Sequence, residues 1–556
     1  MQGPTTTLPP PAAAATAMAV DLISQLNDDL LLHILGFLPA VRDVARTSVL
    51  SRRWRHLWSI APCLRFAVGD GDDDDNGDRD AHAARLLIAA VDAAVARRAD
   101  VDILEISFNY GPSRPWRSFY EQPACAADVT MPSHSRAAAW LRFAGRHVRR
   151  SFAVDLPPLP LGWRRDHQAA AAAAAAAGGD LAELPRSARA GTMRLQLGNA
   201  TLTVPVAGVG PGAYSALTDF QLHKATLAGE GADNLGHLLS SSCSPRLRRL
   251  GLAFVGGLAK LRLDAAGTLE ELELVELPDL RRLDVDAPGL RLLRVDLFDL
   301  SFSYPDPAPV RISAPRLEAL ACHDMPSPAP LQFDGAAAVR HIKKLAFYYP
   351  VDDGMLHNAT TIWLLKNCTA MDHLELDLVI DMPYKVSEWP IGEDMMNYVS
   401  ELPSVTNLAI SIYVGTGGHT IGATLTKLIA KCKNVEYISI GFNDWKIRHC
   451  SNLSCFCRQP KGWEDQKISL DHLRTVDIRN FKLSDDWIRV LQVLLANSPA
   501  LDTMTVELDK TYLKEIQKEG ESVQFDVPCS KGFWASVSSQ PDEHGFDSVV
   551  VKYKWT

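Results

Sequence analysis

The sequence predicts an α/β chain in which a short module of three helices precedes a curved, elongated repeat scaffold closed by a helix–strand cap. Three observations carry that expectation. Residues 21–58 are crowded with apolar side chains at helical spacing, helix-like stripes alternate with strand-like runs from about residue 81, and a leucine motif recurs from Ser244 onward. Composition agrees with a packed chain: 556 residues, 47% hydrophobic, 22% charged, net charge −9, which is ordinary for globular proteins. Length alone suggests several compact domains, but a repeat array fills the same length with one continuous core.

The elements follow in order. Residues 1–20 are rich in Pro, Thr and Ala and are expected to form a disordered leader. No Lys or Arg precedes Arg42, so the basic start of a secretory signal is missing. Asn27 or Asp28 can cap a first helix running to Leu38, with Pro39 as its stop. A second helix is expected over about Arg42–Thr47 and a third over about Ser51–Trp58. The first helix is apolar nearly all round: Leu30, Leu31, Leu32, Ile34, Leu35, Phe37 and Leu38. Three short helices cannot bury that surface together with Trp54, Leu57 and Trp58, so a docked partner is implied.

Gly69–Asp80 (GDGDDDDNGDRD) reads as a solvated acidic linker. Ala81–Arg98 follows as a helix with Leu86, Leu87, Ala90, Val91, Ala94 and Val95 on its apolar stripe, and Val101–Phe108 as a strand. Ser135–Val148 and Ser151–Leu156 repeat the helix–strand pair. Nine alanines, Ala169–Ala177, mark an insertion loop expected over residues 165–190.

The strongest regularity is SPRLRRLGL (Ser244–Leu252), AGTLEELEL (Ala266–Leu274), APGLRLLRV (Ala287–Val295) and APRLEALAC (Ala314–Cys322). Their leading leucines, Leu247, Leu269, Leu290 and Leu317, are 22, 21 and 27 residues apart. Such a period with L-x-x-L-x-L is the signature of a leucine-rich-repeat solenoid. Similar units lie between them, GLAKLRL (Gly257–Leu263) and DLRRLDV (Asp279–Val285), so the underlying step is about half a repeat. Each coil should then carry two short strands, one per side. The long step before Leu317 fits a loop insertion at Phe298–Ala308.

Weaker copies begin at His341, Met371, Ser404, Asn434, His472 and Ala500, with helical stretches such as Ile421–Lys431 between them. There each coil should be strand plus helix. Strand, helix (Asp485–Asn497) and strand close the run over His472–Leu508.

Catalytic signatures are missing. No His is followed by Glu and no Gly by Lys, which removes the zincin helix and the P-loop. In GTGGHTIG (Gly415–Gly422) the third glycine of a dinucleotide fingerprint would fall at Thr420. His449, Cys450, Cys455 and Cys457 lack the C-x-x-C pair of a zinc knuckle, so free thiols in a loop are expected. The sequence therefore predicts no enzyme, cofactor or metal. Its charge argues against a nucleic-acid binder that neutralises phosphates, and no run is long enough to span a membrane. The sparse cysteines fit a reducing compartment, cytoplasm or nucleus, where the sequons at Asn199, Asn358, Asn367 and Asn452 carry no meaning.

Asp21–Trp58 resembles the F-box of plant F-box/leucine-rich-repeat proteins. The matching residues are Leu26, Asp28, Leu30, Leu31, Ile34, Leu35, Phe37, Leu38 and Pro39, then Ala45, Thr47, Ser48, Val49, Leu50, Ser51, Arg53, Trp54, Arg55, Leu57 and Trp58. Asn27 stands where that family usually has Pro. The resemblance implies docking to a Skp-family adaptor, itself bound to a cullin, in an SCF-type ubiquitin ligase. Its interface candidates are Leu26, Leu30, Ile34, Leu35, Leu38, Val44, Val49, Leu50, Trp54, Leu57 and Trp58, which serve equally as the core of a helical bundle. His472–Leu508 resembles the FBD module that often closes such proteins.

The expected organisation is thus a leader (1–20), F-box (21–61), acidic linker (69–80), solenoid (81–470), FBD-like cap (471–510) and tail (511–556). On the repeats, Lys260, Arg262 and Arg282 are expected to form a basic patch facing an acidic protein target. A small-molecule receptor or a scaffold outside ubiquitin transfer would use the same frame.

Overall fold

The computed structural model describes residues 23, 25–67, 77–108, 134–156, 182–205, 209–228, 232–265, 267–296, 310–322, 331–349, 354–380, 395–414, 422–444, 462–465, 467–481, 485–508, 533–541 and 547–555. The expected leader, Ala169–Ala177, the insertion at Phe298–Ala308 and the cluster His449–Cys457 lie outside these residues.

Two separate cores hold the chain. The smaller belongs to three helices, α1 (Asp28–Gly36), α2 (Val41–Arg46) and α3 (Arg52–Ile60), and consists of Leu31, Leu35, Val44, Trp54, Leu57 and Ala61. The larger is a single cluster of described residues between Leu64 and Leu508. It lies under an 18-stranded sheet that is parallel almost throughout. Strand β1 (Cys63–Ala67) pairs with β2 (Val101–Ser107), β2 with β3 (Val148–Asp155), and β3 with β5 (Thr192–Thr203), which also holds the two-residue β4 (Ala182–Glu183). Between β1 and β3 the chain crosses over through α4 (Gly77–Arg97) and α5 (His134–His147).

The α4 helix starts at Gly77, inside the expected linker, and its buried face is Ala84, Leu87, Ile88 and Val91. Leu86 is exposed and Ala90 with it, contrary to the expected stripe. The run AARLLIAAV is apolar in more than one helical phase, so packing on α5 and β1 chooses the phase rather than the pattern itself. The expected insertion loop also ends early: Leu184, Ala188 and Ala190 are buried, and the Tyr214 hydroxyl donates to the Pro185 carbonyl.

From β6 (Asp219–Ala228) the short helix α6 (Leu235–Leu239) leads to β7 (Arg249–Gly256), where the repeats begin. Successive half-steps then enter different sheets. Strands β9 (Glu271–Val275), β11 (Leu292–Asp296) and β13 (Ala319–Cys322) extend the long sheet from β7. Strands β8 (Lys260–Asp264), β10 (Arg282–Asp286), β12 (Val310–Ser313) and β14 (Leu331–Asp334) form a second, four-stranded parallel sheet. Successive half-steps thus alternate between two sheets, as the half-period predicts. All three motif ranks face inward, as Leu247, Leu250 and Leu252, Leu269, Leu272 and Leu274, and Leu317, Leu320 and Cys322 are buried. At the corners neighbouring coils touch backbone to backbone. A Cβ on Gly289 would lie 2.0 Å from the Gly267 carbonyl oxygen, and one on Gly257 (φ +77°) 2.0 Å from that of Leu227, so glycine is required at both.

Beyond β15 (His341–Tyr349) the second strand gives way to helices. Strands β16 (His373–Ile380), β17 (Asn407–Val414), β18 (Tyr437–Asp444), β19 (Thr475–Phe481) and β20 (Thr503–Leu508) continue the long sheet. Helices α7 (Gly354–Asn367), α8 (Gly422–Lys431) and α9 (Asp485–Asn497) lie between them in sequence. Asn358 is fully buried in α7 and exchanges both amide hydrogen bonds with the Tyr348 backbone, so that sequon is inaccessible. The expected tail contributes structure as well: β21 (Phe533–Pro541) and β22 (Asp547–Trp555) form a hairpin added antiparallel to β20.

Candidate functional site

The helical module is built by caps. Asn27 accepts a hydrogen bond from the Leu30 amide at 2.9 Å, starting α1 with Asp28 and Asp29 at the positive end of its dipole. Ser51 caps α3 by accepting from the Trp54 amide. Arg53 then ties α3 to the start of α1, donating to the Asp28 carboxylate at 2.7 Å and to the Leu26 carbonyl at 2.6 Å.

Both faces of α1 are apolar. Leu31 and Leu35 point into the module's own core, while Leu30, Ile34 and Phe37 repeat at i, i+4 and i+7 on a separate face and are exposed. Val49 and Leu50, between α2 and α3, are 84% and 64% exposed. Ile23 and Ile60 add further exposed apolar surface. Seven large apolar side chains in the open on so small a module mark a surface for a partner.

The residues proposed from sequence therefore divide. Leu30, Ile34, Val49 and Leu50 are accessible; Leu35, Val44, Trp54 and Leu57 are core; Leu26, Leu38 and Trp58 pack half-buried against that core. Sequence reasoning missed Ile23, Phe37 and Ile60. The phase of Phe37 with Leu30 and Ile34 was available in the sequence as a signal.

Residues 23–66 match the F-box domain model. The chain carries an F-box domain. Forty-six residues of the chain are 59% identical to F-box/LRR-repeat protein 25 of Arabidopsis thaliana, covering 8% of this chain and 18% of that protein. A putative FBD-associated F-box protein from the same plant is 58% identical over 47 residues, covering 8% of this chain and 11% of its own. Another matches at 40% over 93 residues, or 17% and 20% of the two chains. The shared stretch is thus a fifth or less of these relatives' length.

Two arginines tie the three F-box helices to β1 and the end of α4. Arg65 on β1 donates to the carbonyls of Gly36 at 2.7 Å and Leu38 at 3.3 Å, at the end of α1. Arg98, just past α4, donates to Trp58 at 3.2 Å and Ala61 at 3.5 Å, at the end of α3. Each donates to carbonyls at a helix end, where intrahelical donors run out. Burial lowers the Arg98 pKa from its usual value, which leaves the guanidinium charged.

On the repeats, Lys260, Arg262 and Arg282 are brought together on the outer face of the small sheet, where Arg282 pairs in register with Lys260. Aspartates interleave them. Arg282 donates to Asp284 at 2.7 Å, and the Lys260 ammonium lies 3.8 Å from Asp233. The face carries as many carboxylates as cations, so it is not simply basic.

Other candidates hold no chemistry in view. Gly415–Ile421 lies outside the described residues, and Gly422 opens α8 where a Cβ would strike the Trp463 ring at 2.6 Å, a packing reason for that glycine. Among the described residues no group of three or more His, Cys, Asp or Glu is arranged to hold a metal, and no helix is long and apolar enough to cross a membrane.

Proposed function

We propose that the chain is the substrate-recognition subunit of an SCF-type cullin–RING ubiquitin ligase. Its F-box docks a Skp-family adaptor, and through it a cullin, while a curved leucine-rich-repeat solenoid with an FBD-like cap holds a protein target. The observation that supports this best is the doubly apolar α1, whose outer stripe of Leu30, Ile34 and Phe37 stands free beside Val49 and Leu50 in a domain matching the F-box. The chain performs no chemistry in this reading. It tethers, raising the effective concentration of target lysines at the charged conjugating enzyme. Such work belongs to the cytoplasm, the nucleus or both. Lys260, Arg262 and Arg282 are the proposed contacts to the target.

Co-purification with a Skp-family adaptor tests the reading. Leu30→Asp with Val49→Asp alters two exposed positions and leaves the F-box core intact. The wild type should form the complex, and the double variant should bind at least about thirtyfold more weakly, as expected for central interface anchors. A wild type that never binds, or a double variant that binds as well, would overturn it.

A further inference from the structure

The outer face of the four-stranded sheet presents three rows of side chains, because alternate strand residues share a face and the strands are in register. The first row is Lys260 and Arg282. The middle row is Arg262, Asp284, Arg311 and Gln332. The last row is Asp264, Asp286, Ser313 and Asp334. Charge is therefore sorted along the strands, from cationic where they start to anionic where they end. These rows line a groove of about 990 Å³.

Only part of this charge is used internally. Arg282 is paired with Asp284, and Lys260 lies near Asp233. Arg262, Arg311, Asp264, Asp286 and Asp334 form no ion pair with any described residue and are exposed. Asp264 and Asp286 stand directly opposite each other on neighbouring strands. Like charges in that relation destabilise a sheet, and a cation from outside relieves it.

We propose that this face docks an extended segment of the target protein with the charge order acidic, acidic, basic at alternate positions. An extended peptide repeats its sheet-facing side chains every ~6.7 Å, the same step as the rows beneath it. Over β8 and β10, its first acidic residue meets Lys260 and Arg282, its second meets Arg262 beside Asp284, whose charge Arg282 already holds, and its basic residue sits between Asp264 and Asp286. The inference rests on the reading of the chain as a target-binding subunit and deepens it. A uniformly acidic target is a poor fit because its last carboxylate meets the aspartate row.

Fluorescent peptides test it against the full chain at an ionic strength of ~10 mM, where surface charge is least screened. Glu-Ser-Glu-Ser-Lys and its reverse, Lys-Ser-Glu-Ser-Glu, represent the two chain directions. Glu-Ser-Glu-Ser-Glu and Glu-Ser-Lys-Ser-Glu are the controls. One matched order should bind about tenfold tighter than either control. Asp264→Lys with Asp286→Lys should move the preference to the all-acidic peptide, and Lys260→Glu with Arg262→Glu should abolish the matched one. Equal binding of the all-acidic peptide to wild type, no peptide binding at all, or matched binding indifferent to both variants overturns the inference. Adaptor co-purification on the same proteins keeps the failures apart, since a chain that binds the adaptor but does not discriminate among peptides refutes only this proposal.

Discussion

Asp155 and His223 stand two strands apart on the outer face of the long sheet, with Gln196 between them in register, and they pull stability in opposite directions. Burial raises the Asp155 carboxyl to about 6, offset in part by Lys224 and a hydrogen bond from Ser107. Burial, with Lys224 adding to it, lowers His223 to about 4. Between about pH 4 and 6 the folded chain holds the Asp155 proton more tightly than the unfolded chain does, so this group's contribution falls as pH rises. His223 is protonated more readily in the unfolded chain, so its contribution rises with pH over the same window. The two slopes offset each other. Asp155→Asn should therefore stabilise the protein at neutral pH, by up to about 3 kcal/mol, and uncover a rise in stability from acid toward neutral pH. Urea midpoints across pH ~4–7 check both statements. A variant whose pH profile parallels the wild type would show that Asp155 is solvated in the folded chain.

At the scale of elements, the two arginine clamps tie the F-box helices to β1 and α4. Arg98 serves two carbonyls at the end of α3 and Arg65 two at the end of α1. Removing either takes donors away from carbonyls at a helix end. Arg98→Ala should cost about 1–2 kcal/mol and speed hydrogen exchange over Arg52–Ile60, while the exchange of β16–β20 stays the same. Exchange unchanged over α3 would mean that apolar packing alone holds the module. These clamps were invisible in the sequence, because nothing in Arg65 or Arg98 says which carbonyl it will reach. Periodic elements were legible: the helix Asp485–Asn497 and the alternation of repeat strands between two sheets follow from spacing alone. The α4 face was not, because its apolar residues allow two phases and only tertiary contacts select one. The F-box surface was half legible. Its residue types announced a partner, but dividing Leu30 from Leu31 needed the orientation of α1 on α3.

Across the whole molecule a single row of residues ties coil to coil at the start of the long-sheet strands. The amide of each residue donates to the carbonyl of the one before, through Thr218, Arg248, Glu270, Arg291, Glu318, Arg340, Asp372, Thr406, Glu436, Arg474 and Asp502. Side-chain charge alternates in sign from Arg248 to Asp372 and again from Glu436 to Asp502. Ion pairs bridge neighbouring coils: Arg248 with Glu270 at 3.8 Å, Arg291 with Glu318 at 2.9 Å, Arg340 with Asp372, and Arg474 with Asp502 at 3.9 Å. Each pair is open to solvent on at least one side and weak alone. The order of signs has a second effect, since a slip by one coil would set like charges together, so the row favours the native stacking over its neighbours. Asp372 is the informative position because it accepts from Arg340 and lies 3.5 Å from the His341 ring. Asp372→Lys should therefore destabilise by about 1 kcal/mol at low salt, with most of the loss recovered at ~1 M salt, where the Debye length shrinks to about 3 Å. Adding Arg340→Glu to that variant should restore stability at low salt by re-forming the pair with reversed sign. A loss that salt does not relieve, or a double variant no better than the single, would assign the row to backbone hydrogen bonding alone and remove charge order from what sets the coil register.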